Sequence, residues 1–214
     1  QALMRQGQTD AAIQAFQAAT RKDPQQVEAL LALAQALLER GDAASRQRAA
    51  SVLAEQLKRQ PRQQAVRLQL ARVLLASGQA GAVLPLLEEG LKLHPELHAA
   101  RLMLAEAERQ LGRADAAAAR LSAMVKADQL AVDACLAWSA LEEEHNRPTE
   151  AQALLERALA KAGAQELRPQ AVLVEFLLRQ HRNGEARAAA KTLLGHAPEH
   201  VGALLLSARA AMAD

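Results

Sequence analysis

The chain has 214 residues with 26 Lys and Arg against 24 Asp and Glu, a net charge of +2. Half of its residues are hydrophobic and only 1% are aromatic, so Ala and Leu carry the apolar content, with Gln, Arg and Glu between them. That palette belongs to helices, and it excludes a β-rich domain and a body held together or steered by one strong charge.

In chain order, Gln1 to Gln6 reads as the end of a helix and Gly7 as its stop. Thr9 to Lys22 then forms a second helix closed by Asp23-Pro24. Val27 to Arg40 carries Leu30, Leu33, Ala34, Leu37 and Leu38 at the spacing of an amphipathic helix, ended by Gly41-Asp42. The next helix places Ala49, Val52, Leu53, Gln56 and Leu57 on one face and stops at Gln60-Pro61. Three extra residues near Ala43 to Arg48 read as a lengthened turn. Stops of the same kind recur at Gly78, Gly112, Asn146 and Asn183-Gly184.

The ends of the helical hairpins recur at a fixed distance. Pro61 to Pro95 is 34 residues, and two more such steps reach Gln129 and Gly163; Gly163 to Pro198 is 35 and Pro24 to Pro61 is 37. A period of that length marks an array in which each unit is one helical hairpin. The units run 1–26 (partial), 27–63, 64–97, 98–131, 132–166, 167–200 and 201–214 (partial), a single array over 1–214. The expected fold class is all-α: twelve helices, five complete pairs flanked by one helix at each end, and no strand. Because the chain opens at Gln1 without an initiator Met, a piece of a longer protein is expected.

The run Gly7-Gln-Thr-Asp-Ala-Ala12-Ile13-Gln-Ala-Phe16-Gln-Ala-Ala19-Thr-Arg-Lys-Asp23-Pro24 resembles the second helix of a tetratricopeptide repeat. Its small, large, medium series returns as Ala117, Leu121 and Met124, as Ala151, Leu155 and Ala158, and as Ala186, Ala190 and Leu193. Small residues stand where the paired helices of that family cross closely: Ala34, Ala71, Ala105, Ser139 and Ala208. The chain departs from the family where a first helix usually carries a large aromatic, having Leu30, Arg67, Arg101, Cys135 and Leu204 there.

The resemblance implies a right-handed α-α superhelix whose first helices line a concave groove. It places Leu31, Leu68, Leu102, Leu136 and Leu205, with Ala171, in one row along that groove. One turn further come Gln35, Arg72, Glu106, Ala140, Glu175 and Arg209, and then Leu38, Leu75, Arg109, Glu143, Leu178 and Met212. Stacking of equivalent positions predicts ion pairs Arg72 with Glu106, Arg109 with Glu143 and Glu175 with Arg209, leaving the leucines as the adhesive stripe. The rows hold no Lys or Asn, which sets aside the sub-type of the family that grips a terminal carboxylate.

Other chemistry finds little footing. His94-Pro-Glu-Leu-His98 and His196-Ala-Pro-Glu-His200 have the four-residue spacing of metal-binding helices, but a proline interrupts each, so they read as junction residues and no metal or cofactor is expected. Cys135 takes a packing position and reads as a buried thiol; Trp138 and Phe176 read as core. Glu142, Glu143 and Glu144 end a helix against its dipole and read as a solvated end. Arg40 to Arg72 holds eight basic residues against Asp42 and Glu55, yet no aromatic lies among them to stack on bases, so nucleic acid is not expected. No stretch is suited to span a membrane. Nucleophile-base pairs and phosphate loops are missing too, so an enzyme is not expected.

The function expected is a non-catalytic scaffold holding a protein or peptide segment in the groove, within a bacterial cell-envelope assembly or export system. Its parent would be periplasmic or membrane-anchored. The alternative is a structural or oligomerisation module of a larger enzyme or secretion protein, such as a glycosyltransferase or polysaccharide-export component, associating end to end through uncapped terminal helices.

Overall fold

The computed structural model describes residues 8–23, 26–163 and 166–213. The helix end expected at Gln1 to Gln6 and the mark at Pro24 lie outside them. The described residues form twelve α-helices and no strand, as expected. They are α1 (Thr9–Lys22), α2 (Val27–Arg40), α3 (Ala43–Arg59), α4 (Gln64–Ala76), α5 (Ala80–Leu93), α6 (His98–Gln110), α7 (Ala114–Lys126), α8 (Ala131–Glu144), α9 (Pro148–Lys161), α10 (Arg168–Arg179), α11 (Asn183–His196) and α12 (Val201–Met212).

The chain forms two compact units, Gln1–Arg113 and Ala114–Asp214. In the first, each of α1 to α6 packs on its neighbour in sequence, and α2, α4 and α6 also pack side by side. In the second, α7 to α12 do the same, with α8, α10 and α12 side by side. A lone hairpin leaves its apolar stripe in water, and stacking a neighbour on it builds the core. The small residues Ala34, Ala71, Ala105 and Ser139 are buried, as are Ala49, Leu53, Val83, Leu87, Ala117, Leu121, Ala151, Leu155, Ala186 and Ala190 on the second helices. Val174 is the equivalent of Ser139 in α10 and is also buried, whereas Ala208 on α12 is exposed.

Each first helix passes to its second through a residue in the left-handed region: Gly41, Gly78, Gly112, Asn146 and His181, with φ from 56 to 80°. At the last four the following amide closes back on the helix, as in Gln79 N–H to Leu74 O (2.9 Å) and Arg182 N–H to Leu177 O (2.9 Å). The final stop is therefore His181; Asn183-Gly184, where the sequence suggested it, opens α11 instead. The three extra residues lengthen a helix rather than a turn, since α3 has 17 residues and begins at Ala43. Asp42 caps it by accepting from the Ser45 amide (2.8 Å) and hydroxyl (2.6 Å). These bonds hold its carboxyl below the usual range. Three residues are close to one helical turn, so the buried face of α3 keeps its phase.

Arg67 shows how an aromatic position accepts a cation. Its side chain is 1% exposed. The guanidinium donates to the carbonyls of Leu86 (2.9 Å) and Pro61 (2.7 Å) and lies 3.4 Å from the Glu89 carboxylate. Arg101, one unit later, reaches the Pro95 carbonyl in the same way (2.8 Å). Each arginine thereby ties its helix to the turn before it. Gly90 makes room for Arg67: a Cβ there would stand 2.6 Å from Arg67 Cδ and 3.3 Å from Nε.

Gly90→Ala should therefore cost about 1–3 kcal/mol, because the anchored guanidinium cannot give way. In an Arg67→Ala background most of that cost should vanish, and a double-mutant cycle by urea unfolding measures the difference. His181→Gly should raise stability by about 1 kcal/mol, relief of a left-handed residue partly offset by glycine's freedom in the unfolded chain. The same unfolding assay reads it.

Candidate functional site

The candidate surface is built on the first helices. In the first unit, α2 presents Leu31, Gln35 and Leu38, α4 presents Leu68, Arg72 and Leu75, and α6 presents Leu102, Glu106 and Arg109. The three helices adjoin, so the three rows do come together there. Leu31 and Leu38 pack against the core of α1 to α4, and Leu68 and Leu75 against that of α4 to α6. All four leucines and Leu102 remain half-exposed, each giving part of its side chain to the core and part to the surface. In the second unit the rows bring Leu136 and Glu143 on α8 beside Glu175 on α10, with Leu205 and Arg209 on α12. There Leu136, Ala171 and Leu178 lean on the core, while Leu205 is exposed.

The charges pair differently from the stacked pairs expected from sequence. Glu106 accepts from Arg109 Nε (2.8 Å) and Nη2 (2.7 Å) and from Gln110 (2.8 Å), all on its own helix. Arg72 donates to Gln69 (2.7 Å), and Gln69 in turn donates to Gln35 across to α2 (3.4 Å). Gln69 is buried and bridges two of the rows, a role that lay off the predicted stripe. Glu143 receives both Arg179 Nε and Nη2 at 2.8 Å, and Glu175 lies 3.8 Å from the same arginine. A partner three or four residues away on one helix is already at hand, whereas helix axes stand about 8–10 Å apart, so local partners win. Arg179 follows Leu178, the residue in row with Glu143, by one position, a shift that unit length alone does not reveal.

The acidic run at the end of α8 is no free anionic patch. Glu142 is buried, accepting from Trp138 Nε1 (2.7 Å) and pairing with Arg147. Trp138 itself is half-buried and Phe176 fully buried. At the far edge of this unit Arg168 is held by Asp133 and Glu166 at 2.7 Å each, which raises its affinity for its proton. Burial pushes the Cys135 thiol up, away from thiolate reactivity.

The histidine pairs are engaged separately. His94 lies 3.2 Å from Glu96, His98 3.5 Å from Arg101 and His196 3.1 Å from Gln170, while His200 accepts from the Ala203 amide (3.3 Å) and caps α12. Among the described residues no three His, Cys, Asp or Glu side chains gather as a metal site, and no helix is long and apolar enough to cross a membrane.

Two family models described as tetratricopeptide repeat match the sequence, over residues 1–45 and 74–138. Among solved structures, a tetratricopeptide repeat protein from Parabacteroides merdae aligns over 98% of this chain and 80% of its own, with a TM-score of 0.74 and 14% identity. A thermophilic TPR protein of Thermus thermophilus aligns over 82% of this chain and 94% of its own, with a TM-score of 0.66 and 24% identity. PilF of Pseudomonas aeruginosa aligns over 97% and 93%, with a TM-score of 0.60 and 16% identity. At these identities the likeness is one of fold. A search of curated proteins gave no match.

Arg109 and Gln110 hold the Glu106 carboxyl below its ordinary value of 4.5. A depressed carboxylate stabilises the fold above the unfolded value and loses that contribution as the pH falls through the folded one. Arg109→Met should thus lower stability at pH 7 by at most about 1 kcal/mol, the scale of a half-exposed pair. The gap should close below the carboxylate range, as thermal unfolding at pH 7 and pH 3 would read.

Proposed function

Because the chain belongs to the tetratricopeptide-repeat family, we propose that it is a non-catalytic scaffold holding an apolar-faced protein segment on its first helices. The observation that carries this reading is the half-exposed row Leu31, Leu68 and Leu102 in the first unit, flanked by charges whose partners are largely local. Glu106 and Arg72 are already satisfied within the chain, so a ligand has little to gain from them as bare charges. The leucines are what a partner can use. The occupant is an amphipathic helix or an extended segment with spaced hydrophobic anchors. Flanking pairs worth about 0–1 kcal/mol each contribute to selectivity more than to affinity. The Ala-, Arg- and Gln-rich composition supports a place in a bacterial cell-envelope assembly or export system.

A second reading, an oligomerisation module within a larger assembly, is favoured by one observation, the exposed apolar face of α12. The two readings use different surfaces and are separable.

Leu68→Glu and Leu102→Glu should each keep the helical signal and lose partners in a pull-down from the native host. If both variants retain every partner of the unmutated chain, the inner-face reading fails.

A further inference from the structure

Packing accounts for nearly every large hydrophobic side chain except those on α12. Seven are exposed among the described residues, and four of them lie on this helix: Val201 at 69%, Leu204 at 47%, Leu205 at 62% and Met212 at 82%. The other three, Leu93, Leu111 and Leu130, fall singly at helix ends or turns. Spacings of three and four put Val201, Leu204, Leu205, Ala208 and Met212 on one side of the helix. Arg209 is the sole charge within α12. In the earlier first helices the equivalents of Leu204 and Ala208 are covered: Leu30 and Ala34, Arg67 and Ala71, and Cys135 and Ser139 are all buried. The same positions of α12 stand open.

We propose that this face is a self-association surface, covered by α12 of a second copy in a two-fold antiparallel pair. The proposal rests on the oligomerisation reading and is independent of the inner-face one. Three features select this occupant. An apolar face needs an apolar mate, and no large hydrophobic side chain is exposed on α1 or α2, whose outward residues include Gln14, Glu28, Gln35 and Glu39. A head-to-tail contact would set leucines against those polar groups, whereas a two-fold contact sets the stripe against itself. The register also fits: an antiparallel axis through the middle of α12 brings Leu205 onto Ala208 of the other copy and Val201 onto Met212, large against small. Arg209 then lies over Leu204 of the other copy with its stem on the leucine and its head in water. Antiparallel helix dipoles are favourable as well. Finally, the four exposed side chains offer on the order of 400–500 Å² per copy, so the pair reaches roughly 1,000 Å², the lower edge of a specific interface. The dimer is accordingly a weak one.

Sedimentation equilibrium of the full chain, from about 1 to 300 µM, tests the proposal. A monomer–dimer equilibrium with nothing larger is expected, and Leu205→Glu and Met212→Glu should each weaken it about tenfold or more with helicity unchanged. A mixture of Leu205→Cys and Ala208→Cys chains should form an intermolecular disulfide linking the two positions. A monomer across the whole range overturns both this pairing and the oligomerisation reading. Species growing past the dimer keep that reading and overturn the two-fold pair. A dimer indifferent to both Glu substitutions places the contact elsewhere and also overturns it.

Discussion

Where a first helix meets its second, Ala34, Ala71, Ala105 and Ser139 are almost wholly buried. Their small side chains let two backbones approach until the larger residues beside them, such as Leu53, Leu87, Leu121 and Leu155, fill the seam. The approach is possible only if the chain reverses in a few residues, which is why a left-handed residue closes each first helix. Close crossing also exhausts the space within a hairpin, so the remaining apolar surface of each first helix must be covered by its neighbours. The half-exposed leucines of the inner rows and the open face of α12 are both consequences of that one constraint.

The electrostatics follow the packing. Charged groups on the first helices are matched mainly within a helix or to the neighbouring first helix, as in Arg109 to Glu106 and Arg179 to Glu143. Such pairs keep the surface hydrated and suppress wrong contacts without much effect on stability. Arg67 differs because it is buried. Its partners are largely backbone carbonyls, which satisfy a guanidinium without the desolvation of a second full charge.

Much of the architecture could be read from the sequence because it depends on spacing: the recurrent proline and glycine marks, the small residues at the crossings and the amphipathic stripes. What could not be read depends on conformational tolerance and reach. His181 adopts a left-handed conformation that composition assigns to Gly or Asn, so the neighbouring Asn183-Gly184 drew the prediction two residues late. The extra residues before Arg48 extend α3 because Ala, Ser, Arg and Gln continue a helix readily once Asp42 caps it. The burial of Arg67 did have a trace: Gly90 stands where the other second helices carry Gln56, Met124, Ala158 and Leu193. The rows of the candidate surface were legible as positions, but their ion partners were not, since a long side chain chooses between the next turn and the next helix by a few ångströms.

The chain has one tryptophan and no tyrosine, and the indole of Trp138 is bonded to Glu142 inside the second unit. Intrinsic fluorescence near 350 nm is therefore a local gauge, blind to the first 113 residues, whereas circular dichroism averages over all twelve helices. In repeat arrays melting can proceed unit by unit. The gap between an optical trace of the indole and one of the backbone then becomes a direct measure of how strongly one half of the molecule senses the other coming apart.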